Sequence, residues 1–172
     1  TITTQDGASL EATPVRYDPE NDLALLHVDA SLPALQLAPD PRSGDPGAVL
    51  GYPENGPFAV APARLGETRD TVTEDAYGHG PIRRAIVSLR GTVRSGNSGG
   101  PLVDTRGRVM GTVFAATTSG SPGGFAVPDE VVGRERLHRN DLDRRVDGGD
   151  AIALDAPDDG DAAAVELEVA EG

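Results

Sequence analysis

The chain has 172 residues, with 15 basic against 28 acidic side chains and a net charge of −13. That balance argues against binding a nucleic-acid backbone, which takes clustered basic residues to displace counterions. The absence of cysteine excludes disulfides, thiol nucleophiles and cysteine-based metal sites, and no apolar run approaches the roughly 20 residues of a membrane-spanning helix.

Short extended segments separated by turns recur along the chain, the pattern of an all-β sandwich or barrel. Residues 1–4 and 10–17 read as strands joined through Gln5-Asp6-Gly7, where Asp-Gly favours a hairpin turn. Asp22–Val28 is a mostly apolar strand and Leu35–Leu37 a short one. Residues 39–46 are rich in proline and turn residues and form the best internal boundary. Strands follow at 47–52, 57–66 and 82–93, with 67–81 read as a polar loop. Leu102-Val103 and 109–116 form a hairpin over Asp104-Thr105-Arg106-Gly107, and Phe125–Val127 closes the set. Pro128-Asp129-Glu130 opens the one convincing helix, running to about Leu137, with proline and acids at its first turn.

Residues 141–172 hold eleven acidic side chains against Arg144 and Arg145, a net of −9, which leaves −4 for residues 1–140. This tail is too acidic and too poor in bulky apolar residues to build a core, so disorder is expected, with a weak edge-strand pattern at 164–170. Cation binding by the tail is a third-rank function, because its spacing matches no calcium loop. No metal site and no cofactor is expected.

The stretch Gly96-Asn97-Ser98-Gly99-Gly100-Pro101-Leu102 carries the chemistry. A serine hydroxyl needs a base to become a nucleophile, and the oxyanion formed by its attack needs preorganised N–H donors. Glycines around Ser98 allow positive φ, so that two N–H groups can point into one pocket. Gly96, Asn97 and Ser98 form this oxyanion segment, with the Gly96 and Ser98 N–H groups as the natural pair.

This segment resembles the nucleophile motif of chymotrypsin-fold serine proteases, and Asn97 is similar to the residue found there in the bacterial Deg/HtrA group. A neutral asparagine cannot pair with a newly cut N-terminus, so no activation by that route is expected. Asp18-Pro19-Glu20-Asn21-Asp22-Leu23-Ala24-Leu25-Leu26 resembles the stretch that holds the catalytic aspartate of Deg-like proteases. The match falls on Asp22, expected to be buried and fixed as an orienting acid must be. Gly51-Tyr52-Pro53 resembles the start of the second barrel. Its spacing to the serine is similar to that in actinobacterial membrane-anchored periplasmic proteases linked to acid resistance. Gly123-Gly124-Phe125-Ala126-Val127-Pro128 is similar to the segment that closes the substrate pocket.

The resemblance implies a chymotrypsin-like double β-barrel with a short C-terminal helix and an acidic tail. Residues 1–38 would be the remnant of an incomplete first barrel, 39–46 the linker, 47–138 the second barrel with the helix, and 139–172 the tail. It implies a pocket with Thr92 at its floor and Phe114, Ala115, Ala116 and Gly124 as walls. Small or medium apolar side chains would enter it, from protein or peptide substrates in an extracytoplasmic compartment.

The family order is His, Asp, Ser. None of the 21 residues before Asp22 is a histidine, and His27, His79 and His138 stand in no matching context. Of these, His79 is the least implausible substitute, because its glycine-flanked loop could move. The chain is therefore expected to be a fragment lacking the general base. The competing expectation is an inactive, protease-like module holding peptides along residues 112–117 by β-augmentation.

Overall fold

Aliphatic residues between Pro46 and Pro128 close into one barrel, while among the described residues the strands before it pair with each other. The computed structural model describes residues 1–4, 6–118 and 120–134. Strand β1 (Ile2–Thr3) pairs with β2 (Ser9–Leu10), and β3 (Ala12–Asp18) with β4 (Leu23–Val28), as separate two-stranded antiparallel sheets. The barrel strands are β5 (Pro46–Gly51), β6 (Ala59–Thr73), β7 (Ile82–Gly91), β8 (Pro101–Asp104), β9 (Val109–Ala116) and β10 (Gly123–Pro128). They close in the order β10-β7-β6-β5-β8-β9.

Closure needs bends, and the ladder supplies them as register shifts between Leu65 and Thr68, Leu102 and Val103, and Phe125 and Ala126. Each such bulge turns its strand and raises its twist. The inward residues Val49, Val87, Leu102, Met110, Val113 and Ala126 are almost wholly buried in one aliphatic core. Ala38 joins that core. Its N–H donates to the Val109 carbonyl, while the Val109 N–H donates to the Gln36 carbonyl, so residues 36–38 lie along β9.

Two expectations change. Residues 67–73 belong to β6, paired from Thr68 with Val87 to Thr73 with Ile82. Their polarity reflects a solvent-facing sheet surface and not unpaired backbone. The segment 35–37 is no regular strand but makes one isolated bridge, Leu37 to Val109. Helix α1 (129–134) follows β10. The expected helix end near Leu137, His138, the tail and the 164–170 strand lie outside the described residues.

Candidate functional site

Residues 92–100 connect β7 to β8, and backbone bonds fix their path. The Asn97 N–H donates to the Arg94 carbonyl (3.0 Å), the Gly99 N–H to Val113 (2.7 Å), and the Gly100 N–H to Asn97 (2.9 Å). Gly96 has φ +86°, and a Cβ there would lie 2.5 Å from the Tyr52 carbonyl oxygen, so both conformation and space demand glycine. The Glu54 N–H donates to the Ser95 carbonyl at 2.7 Å. Because a trans peptide points its C=O and N–H in opposite directions, the Gly96 N–H points away from the 53–55 turn.

The N–H groups of Gly96 and Ser98 are not among the donors used in this loop. That of Asn97 is, which removes it from the expected oxyanion set and leaves the other two. The Asn97 side chain is 4% exposed, and its Oδ1 meets no donor among the described residues.

Ser98 stands exposed at the apex, its hydroxyl donating to the Phe114 carbonyl at 3.2 Å. The ladder explains why that carbonyl is available. Val113 pairs with Ala126 and Ala115 with Phe125, so Phe114 is the extra residue of the bulge, and a bulged residue is left unpaired. Beside Ser98 an open depression of about 460 Å³ is walled by Leu50, Tyr52, Phe58 and Pro101. The Tyr52 and Phe58 rings meet edge to face, 5.6 Å apart. This apolar shelf was not anticipated, although Tyr52 and Phe58, two of the six Tyr and Phe residues in the chain, standing six positions apart were a usable signal.

Among the expected pocket residues, Thr92 is exposed, and Phe114 and Ala116 are half-buried on β9. Gly124 sits opposite Ala116 on β10. A Cβ on Gly124 would lie 2.5 Å from the Ala115 carbonyl and 2.9 Å from Val93 Cγ2. Ala115 is itself buried, so its part here is backbone and not a side-chain wall. Val93, which the sequence did not single out, packs at this point instead.

Asp22 departs from its expected burial. It is exposed, with φ +55°, at the end of the turn between β3 and β4, a sheet that has two strands among the described residues. Asp18 organises that turn: its Oδ1 accepts the Glu20 and Asn21 N–H groups, and its Oδ2 accepts Asn21 Nδ2 at 2.7 Å. The 74–80 loop leans on it, with the Ala76 N–H donating to the Pro19 carbonyl and Tyr77 edge-on to Tyr17 at 5.7 Å. Burial pushes the Tyr17 phenol up, and the nearby Asp22 charge adds to the effect.

His79 belongs to the same loop, its Nδ1 3.4 Å from Asp75 Oδ2. Burial pushes Asp75 up, but the His79 and Tyr77 N–H groups and the His79 ring outweigh it and hold the carboxyl below its ordinary value. His27 is exposed on β4. Neither described histidine hydrogen-bonds Ser98.

The link between the two regions is Arg84 of β7, only 6% exposed. Its guanidinium carbon lies 4.8 Å from the centre of the Phe114 ring, and Nη1 reaches the Glu20 carbonyl at 3.5 Å. Burial pushes the guanidinium down, and the Asp22 and Asp18 charges oppose that.

A family model for the trypsin-like peptidase domain matches residues 1–111. Over 128 residues the chain is 41% identical to the serine protease Rv3671c of Mycobacterium tuberculosis strain H37Rv, covering 72% of this chain and 32% of that protein. It is 30% identical over 138 residues to the periplasmic serine endoprotease DegP of Salmonella typhimurium, covering 74% of this chain and 27% of that protein. The active form of the Rv3671c protease superposes with a TM-score of 0.67, covering 72% of this chain and 56% of that one. The HtrA-type protease AlgW with a decapeptide gives 0.63 at 29% identity, covering 75% and 40%. The chain thus spans about a third of the length of the curated relatives it matches.

Proposed function

This chain belongs to the trypsin-like peptidase domain family, and from that premise we propose that its residues serve a serine endopeptidase. Ser98 is the nucleophile, and its attack on a peptide carbonyl forms an acyl-enzyme that water then hydrolyses. The N–H groups of Gly96 and Ser98 stabilise the oxyanion. Asp22 orients the general base, a histidine outside these residues.

One observation carries the reading. Ser98 is exposed at the apex of a loop in which the Asn97 N–H is spent on the Arg94 carbonyl and the Gly99 N–H on Val113 of β9, while the N–H groups of Gly96 and Ser98 are not among the donors used.

The substrate is an extended peptide laid beside β9. Its side chain before the scissile bond enters the space bounded by Phe114, Ala116 and Gly124, with Thr92 at the floor. None of these is acidic, so small or medium apolar side chains are preferred over Arg or Lys. A peptide panel showing a strong preference for basic residues would refute that assignment. The relatives named as periplasmic support an extracytoplasmic site of action, with a membrane-anchored parent as the finer reading. Residues 1–38 are read as part of a first barrel, 39–46 as linker, 47–138 as the second barrel with its helix, and 139–172 as a tail.

The test uses the full-length protein that carries these residues. A fluorophosphonate probe should label it and a peptide substrate should be cleaved, and both signals should vanish in Ser98→Ala. Retained labelling and turnover in that variant refute the assignment.

A second reading is favoured by the Ser98 hydroxyl donating to the Phe114 carbonyl and not to a base. The 172 residues alone would then hold peptides without cleaving them. Peptide binding to the isolated chain with no turnover supports it, and turnover by the isolated chain excludes it.

A further inference from the structure

Among the described residues, Arg84 is the buried basic side chain. A buried guanidinium is expensive unless its hydrogens are satisfied, and well-packed apolar residues usually serve a core as well or better. Arg84 is poorly satisfied for its depth. Nε meets no acceptor among the described residues, and Nη1 reaches the Glu20 carbonyl only at 3.5 Å. Packing alone therefore gives little reason for arginine here.

Its surroundings give one. On one side lies the turn of Asp18 to Asp22, whose carbonyl at Glu20 it approaches and whose two carboxylates act on its charge, Asp22 most strongly. On the other side its guanidinium carbon lies over the Phe114 ring, 4.8 Å from the ring centre. Phe114 is the bulged residue whose carbonyl accepts the Ser98 hydroxyl. A planar, permanently charged group is suited to this, since it can stack on a ring and still present a cation at its edge.

We propose that Arg84 is a positioning residue that holds the Asp22 turn of the β3–β4 sheet in place against Phe114 and the Ser98 loop of the barrel. It acts through Asp22 and Phe114 and touches no reacting atom. The inference rests on reading Ser98 and Asp22 as catalytic.

The test measures peptide hydrolysis and thermal unfolding of the full-length protein, unchanged and as Ser98→Ala, Arg84→Met, Arg84→Lys and Phe114→Leu. Methionine fills similar space without charge. Arg84→Met should unfold cooperatively near the parent temperature, while kcat falls about tenfold or more and KM stays within about twofold, as a misplaced catalytic group demands. Arg84→Lys should recover part of kcat. The Arg84→Met, Phe114→Leu double variant should lose less than the product of the single losses, because both break one contact.

A merely structural arginine would move the unfolding temperature and leave kcat alone. A kcat within about twofold of the parent in folded Arg84→Met overturns the proposal, since a positioning loss should exceed that. Should Arg84→Met fail to fold, Arg84→Lys decides: a kcat loss at unchanged unfolding temperature supports the proposal, and parental kcat overturns it. Activity surviving in Ser98→Ala sinks the catalytic reading itself. Inactive Ser98→Ala beside fully active Arg84 variants sinks only the role of Arg84.

Discussion

The barrel and the β3–β4 sheet use similar aliphatic residues but hold them very differently. In the barrel every strand has two neighbours, and Val49, Leu102 and Val113 are fully buried. In β3–β4 each strand has one neighbour, and Tyr17 and Leu26 remain more than two-fifths exposed. The lesson concerns where preorganisation comes from. The Ser98 loop is fixed by backbone bonds to a closed scaffold, whereas the turn that ends at Asp22 meets, among the described residues, the 74–80 loop and the buried Arg84 of the barrel.

The largest test of that contrast is chemical. On the proposed function, Ser98→Ala should lower kcat of the full-length protein by about four orders of magnitude or more, with no change in thermal unfolding, because the exposed hydroxyl makes one carbonyl contact. Unfolding at a clearly lower temperature would mean that the loop is held by this side chain and not by its backbone.

Next in size is a core deletion in the barrel. Leu102 is fully buried where β8 lies between β5 and β9. Leu102→Ala should therefore cost about 2–5 kcal/mol in denaturant unfolding. A loss under 1 kcal/mol, against the ordinary range for buried leucine, would show that the barrel is loosely packed and the comparison misdrawn.

The barrel was legible because its signals are local. Turn chemistry at Asp104 to Gly107 and apolar runs such as Val109 to Ala116 name strands without knowledge of the rest. The serine loop was legible for the same reason. The polar half of β6 was not, since Thr68 to Thr73 carry side chains suited to a loop and are paired only because β7 lies beside them. Asp22 was expected to be buried as an orienting acid and is exposed; its burial depends on what surrounds the β3–β4 turn, which no local pattern encodes. Arg84 was missed entirely. In Ile82-Arg83-Arg84-Ala85 nothing marks the second arginine as buried, and only Phe114, thirty residues on, gives it a partner.

Acid separates a carboxylate of the barrel from one at the start of α1 by the sign of their response. Burial pushes Asp104 up, but the Arg108 N–H and side chain and the Arg106 N–H outweigh it and hold the carboxyl below its ordinary value of 3.8. Its stabilising effect is thus complete above pH 3.8 and is lost as the pH falls through the lowered folded value. Burial likewise pushes Asp129 up at the start of α1, helped by the Glu130 charge and partly offset by the Glu130 N–H. Its carboxylate therefore costs stability that is absent below 3.8 and grows as the pH rises through the raised folded value. In melts from pH 3 to 7, Asp104→Asn should destabilise at neutral pH, the deficit shrinking only in strong acid. Asp129→Asn should stabilise at neutral pH, the gain vanishing toward pH 3. The same sign for both variants would contradict the assignment.

The smallest expected effect tests the weak side of the contrast. Leu26 lies on β4, 43% exposed, in a sheet that has two strands among the described residues. An apolar side chain this exposed contributes little, so in the isolated 172-residue chain Leu26→Ser should change unfolding free energy by no more than about 0.5 kcal/mol. The same change at a buried strand position would leave a cavity and a buried hydroxyl. A cost of about 2 kcal/mol or more at Leu26, the scale of a core deletion, would mean that β4 is covered in the folded protein. The β3–β4 sheet would then have a second anchorage, and Asp22 would owe its position to packing on Leu26 as much as to the charge of Arg84.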